Sequence, residues 1–368
     1  MFSLGVATNR DEWVYDESKV ALLKKVEFFV KTYESERRRW GRSKAADGTG
    51  DFVSRTIKWT SELEAHLERG TVLKAHPDRV RRAIYRPFCK RWTYYDEVIT
   101  HRLYQQDLIF PVSGKWSNVA IVHTQPGSQK PFMACAVSTL PDLHFVGAAA
   151  GTECLPFYRY EDGRRIENIT DWAVAQFRGY YSSQSRRAIT KEAIFQYVYA
   201  VFHDPAYREK YKVNLKREPA RIPFYPDFWA WANWGKVLLE VHLGYENAKP
   251  APLKRIDIRD SRSRDAEVSV VPILRADSNH GTIEVDSETT LSGIPPEAWE
   301  YRLGNRCALE WVLDQHKEKN PKDPTIREKF NSYRLEDYKE SVIDLIRQVT
   351  TVSIETVEIV RAMKKAPR

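Results

Sequence analysis

Apolar positions recur at helical spacing in several separate stretches of the chain. Leu22, Val26, Phe29 and Tyr33 make one stripe, which predicts a helix behind Asp16, whose side chain can cap it. That helix ends in Arg37-Arg38-Arg39, where cations suit the dipole of a helix C-terminus. Residues 57–67 also read as helical. Ile169-Thr170 and Ile189-Thr190 each join an apolar residue to an N-cap, with Val174 and Ile194 at the matching positions inside the helix. The second of these helices, over 191–203, is apolar nearly all round and reads as buried. Asp204-Pro205 opens a further helix toward Arg217, and 228–243 a Trp-rich one. Helices at 299–316, 335–349 and the last fifteen residues complete the set.

Short apolar runs between turn residues predict strands. Two flank the polar turn Thr8-Asn9-Arg10-Asp11, and the chain reads as β-like from Ile84 to about Phe145. Within it, 119–122 and 132–137 are strands joined by the polar loop Gln125-Pro126-Gly127-Ser128-Gln129-Lys130. Residues 268–274 and 282–286 form a hairpin, preceded by a Pro-rich and then charge-rich linker at 249–267. These elements give an α+β fold in three parts. A basic, β-containing recognition unit occupies 1–160 and a largely helical subdomain 161–248. Linker, small β-hairpin and C-terminal helices fill 249–368.

Charge sharpens this picture. The chain carries a net charge of +8 over 368 residues, and residues 36–92 alone hold 15 Lys/Arg against 7 Asp/Glu. That window equals the whole excess, which points to a polyanionic partner for the first part. Within it, the segment Arg79–Asp96 alternates cations with Tyr and Trp. Arg81, Arg82, Lys90 and Arg91 are therefore expected phosphate contacts. Asn9 and Arg10 in the first turn, and Gln125, Gln129 and Lys130 in the polar loop, are expected nearer the bases. Arg forks onto guanine and Asn or Gln onto adenine. Lys115 beside Trp116, and Arg159 beside Tyr158, are weaker candidates.

The search for catalytic chemistry is mostly empty. The chain has no Gly-x-x-x-x-Gly-Lys loop, no Gly-x-Gly-x-x-Gly turn, no His-Glu-x-x-His and no Gly-x-Ser-x-Gly. Asp204-Pro205-Ala206-Tyr207 is similar to the Asp/Asn-Pro-Pro-Tyr loop of adenine-N6 methyltransferases. It lacks the second proline, however, and an Asp cap before Pro accounts for it. His203 with Asp204, and Glu240 with His242, read as capping and surface residues of amphipathic helices. The four cysteines are far apart, with no paired spacing, so neither a zinc site nor a disulfide framework is expected. No apolar run reaches transmembrane length and no signal peptide opens the chain, so a cytoplasmic location is expected.

Several blocks together resemble one known family. They are Gly5–Asp16, Arg86-Pro87-Phe88 with Arg91–Asp96, Leu155–Tyr160, Ile189–Tyr199, Arg221–Phe224, Gly293–Pro295 and Tyr301–Trp311. In order and spacing they resemble the C-terminal specificity domain of type ISP restriction–modification enzymes, also found at the end of predicted helicases. The resemblance implies sequence-specific recognition of double-stranded DNA. It implies no cofactor and no catalysis by this chain. Its partners would be the methyltransferase and helicase/nuclease portions of a parent enzyme, to which it presents a target adenine. A protein-interaction module, its Trp-rich helical half docking a methyltransferase or helicase, is the alternative reading.

Overall fold

A computed structural model describes residues 1–43, 49, 52–112, 117–181, 188–258 and 270–368. Helices and three four-stranded sheets alternate along the chain, as expected for an α+β fold. The first sheet places Ser3–Leu4, Thr152–Pro156, Ala120–Thr124 and Ala134–Val137 side by side, all antiparallel. The second runs Tyr15–Asp16, Cys89–Tyr94, Val80–Arg86, Leu140–Pro141, its last pair parallel. The third holds Lys254–Asp257, Thr289–Ser292, Thr282–Asp286 and Pro272–Asp277. The expected hairpin near 280 is thus half of a sheet. Part of the expected linker, Lys254–Asp257, is one of its strands, while 259–267 lies outside the described residues.

Around the first turn, a short helix, Asp11–Val14, replaces the start of the expected second strand, which is reduced to Tyr15–Asp16. The helix Lys19–Ser43 buries Leu22, Val26, Phe29 and Tyr33 as the stripe predicts. Its first turn is held by Ser18, whose Oγ accepts from Ala21 N; Asp16 accepts from Ser18 N and pairs with Lys25.

Two hydrophobic clusters organise the interior. One joins the first 160 residues to segments between Tyr245 and Val357. The other surrounds the helices Asp171–Tyr180, Lys191–His203 and Phe228–Leu243, and takes in Ile121, Ala134 and Ala136 from the first sheet. Thr170 and Thr190 cap their helices through Ala173 N and Ala193 N. Lys191–His203 and Phe228–Leu243 cross at Gly235, where a Cβ would lie 1.7 Å from the Gln196 carbonyl oxygen. No side chain fits between them there.

The C-terminal helices depart from expectation in their limits. Residues 302–307 form a tight hairpin, Arg302–Leu303 with Arg306–Cys307, turned at Gly304 (φ +67°). The next helix therefore spans Ala308–His316, with Cys307 and Glu310 in a reciprocal cap. Residues 335–364 are one continuous helix of 30 residues, joining the two expected ones.

Candidate nucleic-acid interface

The strands Val80–Arg86 and Cys89–Tyr94 pair as a hairpin turned by Pro87 and Phe88. Phe88 has φ +59° and is buried among Tyr245, Tyr301 and His242, so the turn is driven into the core. A bulky residue is held in the left-handed region only where packing demands it. This placement sets the fate of the neighbouring cations. Arg79 pairs with Asp96. Arg81 donates to the Phe110 carbonyl at 2.7 Å and lies over the Tyr95 ring. Arg86 bonds Asp142 at 2.8 Å, and Lys90 pairs with Glu246. Arg91 meets Glu17 at 2.8 Å and the Gln315 carbonyl at 2.8 Å. Arg82 is exposed, stacked over Trp92 at 5.0 Å.

Most cations of the segment thus hold the molecule together. Arg81, Lys90 and Arg91, expected as phosphate contacts, are engaged within the chain, whereas Arg82 is exposed. The charge alternation was real; Arg79 finds its acid inside the segment, but the partners of Arg86, Lys90 and Arg91 come from distant parts of the chain. Burial works against the charge of Arg86, and Asp142 together with Tyr85 and Asp11 more than restores it, raising its pKa.

Arg10, expected nearer the bases, is also engaged within the chain. It is 1% exposed, donates to Thr60 Oγ1 at 2.6 Å and lies over the Phe29 ring. Burial pulls its pKa down to about 10, opposed by Glu62. Such a group is turned into the protein and supports the fold. Asn9 beside it is exposed with φ +51°, a conformation Asn tolerates better than most residues. Asp11 does not pair with Arg10; it accepts from Thr8 and from the Tyr85 hydroxyl.

The polar loop Gln125–Lys130 is fixed by its backbone. Gln125 N donates to Gly151 O (3.0 Å) and Gln129 N to Ala149 O (3.0 Å). Gly127, at φ +87°, donates to Lys216 O at 2.7 Å. Lys130 N is held by Ser128 Oγ. The Gln125 side chain lies flat on Gly151, where a Cβ would sit 2.2 Å from Nε2. Gln129 stands exposed and Lys130 is half-buried. The two amides therefore differ in setting: Gln125 is half-buried against Gly151 and Gln129 is exposed.

The bond from Gly127 brings a segment to this loop that the sequence reading left in the helical half. Asp204 caps the helix Pro205–Lys210 through Ala206 N, as expected. The chain then enters a turn in which Lys212, Val213, Asn214, Lys216 and Arg217 are exposed and Leu215 is buried as the anchor. A signal was present. Residues 208–217 hold five Lys/Arg against one Glu, interleaved with Tyr211.

Arg159 lies elsewhere. Ala120 pairs with Pro156 and Thr124 with Thr152, so Tyr158 and Arg159 follow one end of the strand pair while Gln125–Lys130 leaves the other. Arg159 pairs with Glu161 at 3.0 Å on a separate hairpin. Lys115 lies outside the described residues.

The residues weighed for catalysis are structural in a different way from expected. His203 and His242 are buried, not solvated. His242 sits between the Tyr199 hydroxyl and Thr356 Oγ1 (2.9 Å) and stacks on Tyr301. Burial, reinforced by Arg208, lowers the His242 pKa to about 3, so it stays neutral. All four cysteines are buried and free. Among the described residues no His/Cys/Asp/Glu group of three or more could hold a metal ion, and no helix is long and apolar enough to cross a membrane.

A family model described as the Type ISP C-terminal specificity domain matches residues 1–345. The chain belongs to that family. Its solved relatives include the cryo-EM structure of the DrdV–DNA complex, 42% identical with a TM-score of 0.90, covering 100% of this chain and 36% of that one. A nuclease-deletion mutant of the Type ISP restriction-modification enzyme LlaGI, in complex with a DNA substrate mimic, is 25% identical. Its TM-score is 0.83, covering 100% of this chain and 33% of that one. The ATP-dependent Type ISP enzyme LlaBIII bound to DNA shares the fold at 24% identity and a TM-score of 0.78, covering 99% of this chain and 23% of that one. The specificity domain thus spans about a third or less of the length of these solved chains. No curated protein matches it.

Proposed function

We propose that this specificity domain recognises a short double-stranded DNA sequence for a Type ISP restriction–modification enzyme. It acts without catalysis of its own and needs no cofactor. In the parent enzyme it presents the site to an adenine-N6 methyltransferase and to motor and nuclease parts, in the cytoplasm. The observation that carries this reading is the junction of two polar loops. The loop carrying Gln129 and Lys130 is tied to the turn carrying Asn214, Lys216 and Arg217 by the bond from Gly127 to Lys216. Amides suited to base edges and cations suited to phosphates are thereby carried on two joined loops. Family membership, and relatives solved with DNA, support the same reading. Arg82 and Asn9 are proposed as outlying contacts.

The test is duplex binding followed by salt titration and site selection. Each phosphate neutralised contributes a slope of about −0.9 in log K against log salt. Replacing Lys216 and Arg217 by Ala lowers the slope by about 2 without changing the selected motif. A flat salt dependence of the unmodified domain refutes the reading.

A companion reading rests on a different face. Trp172, Tyr180 and Trp229 are 72%, 59% and 39% exposed on the helical half. Such aromatics suit docking of the methyltransferase portion. Size-exclusion of the domain with that portion supplied in trans tests it, and Trp229→Ser abolishes co-elution if the reading holds.

A further inference from the structure

The tetrad Asp204-Pro205-Ala206-Tyr207 is only partly explained by capping. Asp204 is fully buried, and its carboxylate is held from several directions. Arg368 donates to both oxygens, Nη2 to Oδ1 at 2.6 Å and Nε to Oδ2 at 3.0 Å. The Tyr225 hydroxyl donates to Oδ2 at 2.7 Å, and Ala206 N to Oδ1 at 3.0 Å. The Arg368 guanidinium is itself tied to the end of the long helix Leu335–Lys364, through the Met363 carbonyl at 3.1 Å. That helix also meets Phe228–Leu243, where Thr356 bonds His242. Asp204 therefore fastens the start of Pro205–Lys210 to a large rigid frame.

The helix so fastened has six residues, too few to be stable by itself. Its direction comes from its anchors: Asp204 at one end, and the Tyr207 hydroxyl on the Arg221 carbonyl. Tyr211 N bonds Tyr207 O and Leu215 N bonds Tyr211 O, so the basic turn continues directly from it. The far end of the turn is the Lys216 carbonyl, which meets Gly127. Between these two points Lys212, Val213 and Asn214 stand exposed.

We propose that Arg368 and Tyr225 are positioning residues which, through Asp204, aim the turn Lys212–Arg217 at DNA beside the loop Gln125–Lys130. The inference rests on the DNA-recognition reading and adds a device to it. Charged contacts to a nucleic acid depend on a supporting shell that fixes the elements bearing them. Removing Arg368 leaves a buried carboxylate short of its cation, a state proteins relieve by local opening and hydration. The segment free to open is the six-residue helix and the turn beyond it, because nine of the thirteen residues of Lys191–His203 are buried.

The experiment compares Arg368→Ala, Arg368→Lys, Asp204→Asn and the double variant Arg368→Ala/Asp204→Asn. Amide exchange and salt-dependent duplex binding are read for each. In Arg368→Ala, exchange over 205–217 rises roughly tenfold or more while 191–203 keeps its protection. The salt slope of that variant falls toward that of the Lys216→Ala/Arg217→Ala variant. Lysine at 368 restores part of both readouts. With Asn at 204 the charge is gone, so the further loss of Arg368 changes little. Unchanged exchange over 205–217 in Arg368→Ala overturns the inference, as does an equal rise across 191–203, which marks a purely structural role. Wild-type binding without salt dependence refutes the DNA reading itself. Salt-dependent binding that is undiminished in Arg368→Ala overturns the positioning role alone.

Discussion

Arg91 and Arg82 lie on paired strands of one hairpin, and replacing each by Ala separates two roles that charge alone cannot. Arg91→Ala removes the partner of Glu17, whose side chain is 18% exposed, and the donor to the Gln315 carbonyl. It also removes the guanidinium stacked over Tyr85 at 4.8 Å. Breaking a largely buried pair by deleting one partner costs about 3 kcal/mol. In a chain of 368 residues that lowers the melting temperature by roughly 4 °C. Arg82→Ala removes an exposed cation from the face of Trp92, a contact of about 0.5–1 kcal/mol, so melting moves by only about 1 °C. Its effect belongs on DNA: the salt slope falls by about 1. Differential scanning calorimetry and fluorescence-anisotropy titrations on the same two samples give both numbers. Equal melting shifts refute the assignment. So does an Arg91→Ala protein of wild-type stability that has lost DNA affinity.

Gln129→Ala alters the motif returned by site selection and costs about 1–3 kcal/mol of discrimination at one position. Gln125→Ala, whose side chain rests on Gly151, leaves the motif unchanged. Gly235→Ala destabilises the domain by about 2 kcal/mol or more in urea unfolding, because the Gln196 carbonyl occupies the space. His242 has a depressed folded pKa, so below pH 6.5 the unfolded chain takes up a proton that the folded one refuses. Its stabilising contribution is complete above pH 6.5 and is lost as pH falls toward about 3. Between pH 6.5 and 5 the loss is about 2 kcal/mol, and melting curves of His242→Gln show a correspondingly shallower decline.

Local signals carried far in this chain. The helices Lys191–His203 and Phe228–Leu243 run between the very residues that apolar spacing and caps predict, and the loop Gln125–Lys130 joins the two strands expected. Failures came where backbone geometry or remote partners decide. Gly304 turned a predicted helix start into a hairpin, a choice that periodicity does not register. In Arg79–Asp96 the spacing of cations and rings was legible, but most of their partners were not. Asp142 is 56 positions from Arg86, Glu246 is 156 from Lys90, and the Gln315 carbonyl is 224 from Arg91. The same limit hid the Lys216–Gly127 contact. A cation far from acids in sequence can be fully paired in space, whereas an amide on a backbone-fixed loop tip keeps its freedom. The DNA-facing surface is therefore better sought where loops converge than where charge is densest. In this domain the proposed surface is Gln129–Lys130 with Asn214–Arg217, loops joined by the bond from Gly127 to Lys216.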